Sequence, residues 1–179
     1  MKNIIDETTL GEVNGFKIVK DQEYGYRHIH PIPSEEELDK IYKEEYYSLE
    51  KPDYTKRMSE DVEWWNSTYR DRYDTFEELL PKSKRKILDV GSGPGFFLKH
   101  GKDRGWETKG IEPSDIARKQ AIKNHSLSVE ENTDLTKLNG EFDIITMWHV
   151  LEHVTELNQT VIELNRLLNT NGKAIIAVP

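Results

Sequence analysis

The stretch Lys86–Phe97 reads Lys-Ile-Leu-Asp-Val-Gly-Ser-Gly-Pro-Gly-Phe-Phe, and it constrains the fold more than any other part of the chain. Ile87, Leu88 and Val90 form a short apolar run with β-branched members, the pattern of a strand buried on both faces. Gly91, Gly93 and Gly95 follow at alternate positions. Glycines so closely spaced would weaken a helix or strand interior, so they mark a tight turn where backbone approaches a partner. Phe96 to His100 restarts a helix-compatible segment that Gly105 can close as a C-terminal cap. Strand, glycine turn and helix together make the first unit of a nucleotide-binding α/β domain.

The glycine spacing bears on which nucleotide that is. The dinucleotide fingerprint G-x-G-x-x-G places its third glycine where helix and strand pack beside a pyrophosphate. Counted from Gly91, that position is Phe96. The pattern here is G-x-G-x-G, preceded by Asp89, which argues against a nicotinamide-dependent oxidoreductase.

The chain has 179 residues, enough for a sizeable core. Its net charge of −8 supplies no general attraction to nucleic acid or an anionic membrane. The short basic run Lys82–Lys86 reads as a solvated turn ahead of the first strand. The absence of cysteine excludes disulfides and thiolate metal sites. No stretch approaches the ~18 apolar residues of a membrane span, and the acidic N-terminus does not resemble a signal peptide. A cytoplasmic protein is expected, without nucleic-acid or membrane partners.

Along the chain, residues 1–15 carry little signal. Gly15–Val19 and Tyr24–His30 are rich in β-formers and predict a small hairpin, ended by Pro31 and Pro33. Ser34 and Glu37 form a capping box, so a helix is expected from Glu35 to Tyr46 or Tyr47. A longer helix is expected over about Ser59–Leu80. There Val62, Trp65, Tyr69, Tyr73, Phe76 and Leu80 recur at steps of three and four. The plain reading of this stripe is packing on the sheet; the alternative is a roof over a cofactor or substrate pocket. The expected organisation is a hairpin and helical cap over residues 1–80, then an α/β domain over residues 81–179.

Within the α/β domain, Trp106–Ile111 reads as the second strand, and Ser114 caps a helix running to about Asn124. Leu127–Val129 is a short third strand, and Phe142–Trp148 a fourth. Leu157, Val161, Leu164 and Leu168 mark a helix that Asn169–Gly172 stops, and Lys173–Val178 is the fifth strand. Strands and helices alternate, so the fold class is α/β, a doubly wound, mostly parallel Rossmann-like sheet with helices on both faces. Glu112, at the end of the second strand, follows Asp89 at close to the ~20-residue interval at which an acid reaches ribose hydroxyls. A carboxylate there can accept both hydroxyl protons.

Four segments now stand in order: Ile87–Gly95, Gly110–Ser114, Phe142–Val154 and Leu167–Gly172. Together they resemble the class I S-adenosylmethionine-dependent methyltransferases, in particular the broad group that includes ubiquinone-biosynthesis O-methyltransferases and sugar methyltransferases. The resemblance covers about residues 84–179. It implies S-adenosylmethionine as cofactor and methyl transfer to a small-molecule acceptor, O- or C-methylation rather than methylation of a base amine. It places Asp89, Gly91, Ser92, Gly93 and Gly95 at the methionine part of the cofactor, Glu112 at the ribose and Pro113 near the adenine. Asn132 and Thr133 would approach the adenine rim, and Met147 and Trp148 would border the sulfonium.

His149, Glu152 and His153 stand at steps that share one helical face. In some relatives the corresponding trio begins with Glu and binds a divalent ion; with His149 in first place no metal is expected, and His149 becomes the candidate general base. The family's sheet adds two strands beyond the fifth, whereas this sequence stops at Pro179. An exposed edge at Ala174–Val178 is therefore expected, with pairing into a homodimer as one outcome. A catalytically silent cofactor-binding or interaction module is the alternative function.

Overall fold

The computed structural model describes residues 8–39, 60–131 and 134–179. The chain divides into two compact units, residues 1–38 and 39–179.

The first unit is a three-stranded antiparallel sheet of β1 (Thr8–Val13), β2 (Phe16–Lys20) and β3 (Arg27–His30), in that order. The expected hairpin is β2–β3, with Lys17 opposite His30 and Lys20 opposite Arg27. Where residues 1–15 carry little signal in the sequence, the structure places β1 over Thr8–Val13. Asn14 and Gly15 both take positive φ, 51° and 82°, and join Val13 to Phe16 directly. Two such residues form the mirror-image turn whose twist matches that of paired strands. Helix α1 (Glu35–Asp39) starts where the capping box places it. Glu37 Oε2 accepts from the Ser34 N–H at 2.8 Å, and Ser34 Oγ accepts from the Glu37 N–H at 3.2 Å. The continuation to Tyr46 or Tyr47 lies outside the described residues.

In the second unit, α2 (Val62–Leu79) leads to β4 (Lys86–Val90), α3 (Phe96–Asp103), β5 (Glu107–Ile111), α4 (Asp115–His125) and β6 (Ser128–Glu130). A short 3-10 turn over Leu135–Lys137 precedes β7 (Phe142–Trp148). A second, over Leu151–His153, precedes α5 (Leu157–Leu167), and β8 (Leu168–Ala177) follows. The order of strands is β6-β5-β4-β7-β8, and every neighbouring pair is parallel. This is the doubly wound arrangement that the alternation predicts.

Side-chain alternation along the strands divides the core in two. Ile87 and Ile144 face a layer with Tyr69, Tyr73, Phe76 and Leu80 of the α2 stripe, Phe97 and Leu98 of α3, and Trp106. Leu88, Ile145 and Met147 face the opposite layer, with Leu164 and Leu167 of α5 and Leu135 and Leu138 beside the 3-10 turn. The aromatic stripe of α2 is thus core against the sheet. The approach of α3 is close: a Cβ on Gly101 would stand 2.2 Å from the Tyr73 hydroxyl oxygen.

At the amino end of the sheet, Asp143 joins three segments. Its Oδ2 accepts from the Lys86 N–H and its Oδ1 from the Asn169 amide, both at 2.9 Å. The stop expected at Asn169–Gly172 is an irregularity within β8: Phe142 pairs with Leu168, and the ladder resumes with Ile144 opposite Lys173. Among the described residues β8 is an outer strand of the sheet, as expected.

Candidate functional site

The site forms at the carboxyl ends of β4, β5 and β7, where an open parallel sheet leaves a crevice between its connections. The turn after β4 is pinned to the end of β5. The N–H groups of Gly91 and Ser92 both donate to the Ile111 carbonyl, at 2.8 and 3.1 Å. The next amide, that of Gly93, donates to Glu112 Oε2 at 2.8 Å. Gly91 has φ 74°, and a Cβ there would lie 2.5 Å from Val150 Cγ2, so the position requires glycine twice over. Gly95 faces elsewhere. A Cβ on it would meet Leu127 Cδ1 at 2.5 Å and Ala121 Cβ at 2.9 Å, so its bare backbone lets α3 pack on α4.

Glu112 is buried, and its second oxygen, Oε1, accepts from the Ser114 N–H at 2.8 Å. Burial raises its pKa, against the lowering effect of the Ser114 and Gly93 amides and of Arg118. A carboxylate offers about four lone-pair sites. The two amides use two, which leaves one on each oxygen for a ligand's vicinal hydroxyls. Glu112 therefore fits a ribose. Pro113 is half-buried beside it, and Ser114 caps α4 by accepting from the Ala117 N–H.

Asp89 is 2% exposed and accepts a 2.6 Å hydrogen bond from Thr146 Oγ1 of the adjacent strand. Burial pushes its carboxyl up to about 7; the Thr146 bond and the Arg72 charge pull the other way, while the Glu112 charge adds to the rise. A carboxyl in this setting fits a cationic ligand group that would take over its charge.

Arg72, from α2, was not singled out by the sequence. Its guanidinium lies 3.7 Å from the centre of the Trp148 ring, a cation–π contact, and burial lowers its pKa. Trp148 is held edge-on by Phe97, with ring centres 5.6 Å apart. Its indole Nε1 is buried without a hydrogen-bond partner among the described residues. Arg72, Asp89 and Trp148 thus bring a cation, a buried acid and an aromatic ring near the carboxyl ends of β4 and β7.

The other expected residues fall in several places. The Ser92 side chain turns toward β5, since a Cβ on Gly110 would stand 2.6 Å from its Oγ. The Met147 side chain is 1% exposed and belongs to the opposite core layer, so only its backbone stands at the strand end. Asn132 and Thr133 lie outside the described residues. His149 is exposed at φ 56°, with its N–H donating to the Ala177 carbonyl at 2.9 Å. That left-handed residue ends β7 and precedes a 3-10 turn, so the expectation of a shared helical face is corrected. Glu152 nevertheless lies between the imidazoles, 3.7 Å from His149 Nδ1 and 4.0 Å from His153 Nε2. Among the described residues no group of three His, Asp or Glu side chains is placed to hold a metal ion.

Residues 61–179 match a family model described as a methyltransferase domain. The chain is 26% identical over 133 residues to the ubiquinone biosynthesis O-methyltransferase of Dechloromonas aromatica, covering 64% of this chain and 56% of that protein. It is 30% identical over 110 residues to the enzyme of the same name from Saccharophagus degradans, covering 56% of this chain and 46% of that one. It therefore spans about half the length of these curated relatives. Among solved structures, the fold resembles an S-adenosylmethionine-bound amino pentose methyltransferase of calicheamicin biosynthesis from Micromonospora echinaspora. The TM-score is 0.57 at 19% identity, over 64% of this chain and 51% of that one.

Proposed function

The chain belongs to the methyltransferase domain family, and on that premise we propose that it binds S-adenosylmethionine and serves methyl transfer to a small-molecule acceptor. The observation that carries this reading is the commitment of the glycine-turn amides. Gly91, Ser92 and Gly93 spend their N–H groups on the Ile111 carbonyl and the Glu112 carboxylate. A dinucleotide site needs such amides turned toward a pyrophosphate. Here they are turned toward the protein, and what remains is an acid that suits a diol, beside a cation and an acid of opposite charge.

In this reading Glu112 holds the ribose hydroxyls and Pro113 flanks the adenine. Arg72 and Asp89 take the carboxylate and the ammonium of the amino-acid end. Trp148 offers its ring, and Met147 its backbone, near the sulfonium. The bound cofactor supplies an activated methyl group with a neutral leaving group, so the protein's part is to align acceptor and methyl in line. His149, exposed at the end of β7, is placed to accept a proton where the acceptor is a hydroxyl or an acidic carbon. The names of the relatives favour an oxygen acceptor. Among the described residues β8 is an outer strand, and its edge is a surface on which a second copy can pair.

Transfer of a labelled methyl group into a panel of phenols, catechols and sugars tests the reading. We expect incorporation into hydroxyl-bearing acceptors, with a lower kcat and an unchanged KM in His149→Ala. Cofactor binding without incorporation into any acceptor would favour a catalytically silent module.

A further inference from the structure

Glu112 is held more firmly than ribose binding alone requires. Its N–H donates to the Glu130 carbonyl at 2.9 Å, and its own carbonyl accepts from Arg118 Nη1 at 2.8 Å. Arg118 is in turn paired with Asp115 and, at 3.4 Å, with Glu131. From this fixed base the carboxylate reaches in two directions, to Gly93 in the turn after β4 and to Ser114 at the start of α4.

Of the three turn amides, those of Gly91 and Ser92 are held by a backbone carbonyl, which no substitution removes. The amide of Gly93 is held by a side chain. Gly93 itself has φ 55°, one of many conformations open to glycine at little cost, so its own backbone preference does not fix it there. The carboxylate that faces the ribose therefore also decides where the methionine half of the turn stands.

We propose that Glu112 is a positioning residue for the methionine half of the cofactor site as well as the ribose ligand, so that the two halves of the cofactor bind cooperatively through one carboxylate. This rests on the cofactor reading above. A ligand that engages Glu112 through its hydroxyls stiffens the carboxylate that orders Gly93, and the amino-acid end then meets a turn already in place. Removal of the carboxylate costs the adenosine half its hydroxyl bonds. It costs the whole cofactor those bonds and the ordered turn together.

The test compares two ligands on the wild-type chain and on Glu112→Ala by calorimetric titration. One is S-adenosylhomocysteine; the other is 5′-methylthioadenosine, which carries the same adenosine without the amino-acid end. We expect the variant to lose at least tenfold more affinity for S-adenosylhomocysteine than for methylthioadenosine. An equal fold-loss for both would overturn the proposal, since Glu112 would then act at the ribose alone. A second measurement needs no ligand: amide exchange in the wild-type chain and in Glu112→Met, which keeps the side chain's length without its acceptor oxygens. The Gly93 amide should exchange at least tenfold faster in the variant while those of Gly91 and Ser92 hold their rates. Unchanged protection of Gly93 would overturn the tie. Where neither variant folds, the Gly93 amide proton of the wild-type chain should titrate together with that of Ser114, and a Gly93 signal flat with pH would count against the proposal. If the wild-type chain binds neither adenosine ligand, the cofactor reading fails, and Gly93 exchange still decides the tie.

Discussion

The guanidinium of Arg72 lies 3.7 Å from the centre of the Trp148 ring, which brings a charge from the helix before the sheet to the end of its central strands. Arg72 is also a charge that lowers the Asp89 pKa. Replacement by Leu should therefore move the Asp89 titration upward and weaken the binding of an adenosyl amino acid more than that of adenosine. Carboxyl-carbon NMR of Asp89 in the two proteins checks the first effect, and paired titrations check the second. A titration of Asp89 unmoved in Arg72→Leu would separate the two residues.

Asp89 gives the fold a pH dependence of definite sign. Its folded-state pKa is about 7, above the ordinary Asp value of 3.8, because burial disfavours the charge. Between those values the folded chain keeps a proton that the unfolded chain has lost. This group's contribution is therefore complete below the ordinary value and is lost as pH rises toward 7, at roughly 1.4 kcal/mol per unit where steepest. Asp89→Asn should remove that slope and make the ligand-free protein more stable than wild type above pH 7. Denaturant unfolding at a series of pH values reads the difference between the two proteins. A wild-type-like slope in the variant would assign the dependence to other groups.

Gly91 and Gly105 share a left-handed backbone, φ 74° and 85°, but differ in surroundings. A Cβ on Gly91 meets Val150 at 2.5 Å, whereas one on Gly105 meets nothing within 4 Å. Gly105→Ala should cost the backbone penalty alone, about 1–2 kcal/mol. Gly91→Ala should cost that plus an overpacking penalty of about 1–3 kcal/mol and should displace the connection after β7. Equal losses in denaturant unfolding would contradict the contact with Val150.

Much of this was legible because local and long-range preferences agree. The apolar run at Ile87–Val90, the glycines behind it and the stripe from Tyr69 to Leu80 each admit few other structures. Period-two alternation also marks Met147 as a core residue once Trp148 is placed on the site face. The Asn14-Gly15 pair between Val13 and Phe16 likewise signals the β1–β2 turn. Arg72 was hidden for a different reason. It sits on the polar shoulder of the α2 stripe, and only the packing of α2 on the sheet brings it to Trp148. The second role of Glu112 depends on amides supplied by two separate loops, which no spacing along one segment reveals. At His149–His153 the helical spacing misled, because a left-handed residue interrupts the backbone that would carry it.

The cofactor reading is tested most directly by calorimetric titration of the chain with S-adenosylhomocysteine and, separately, with NAD. With the amides of Gly91 and Ser92 committed to the end of β5 and that of Gly93 to Glu112, whose oxygens each keep a lone pair for a diol, the account predicts binding of S-adenosylhomocysteine and no heat from NAD at matched concentration. Binding of NAD, or silence toward S-adenosylhomocysteine, would contradict it.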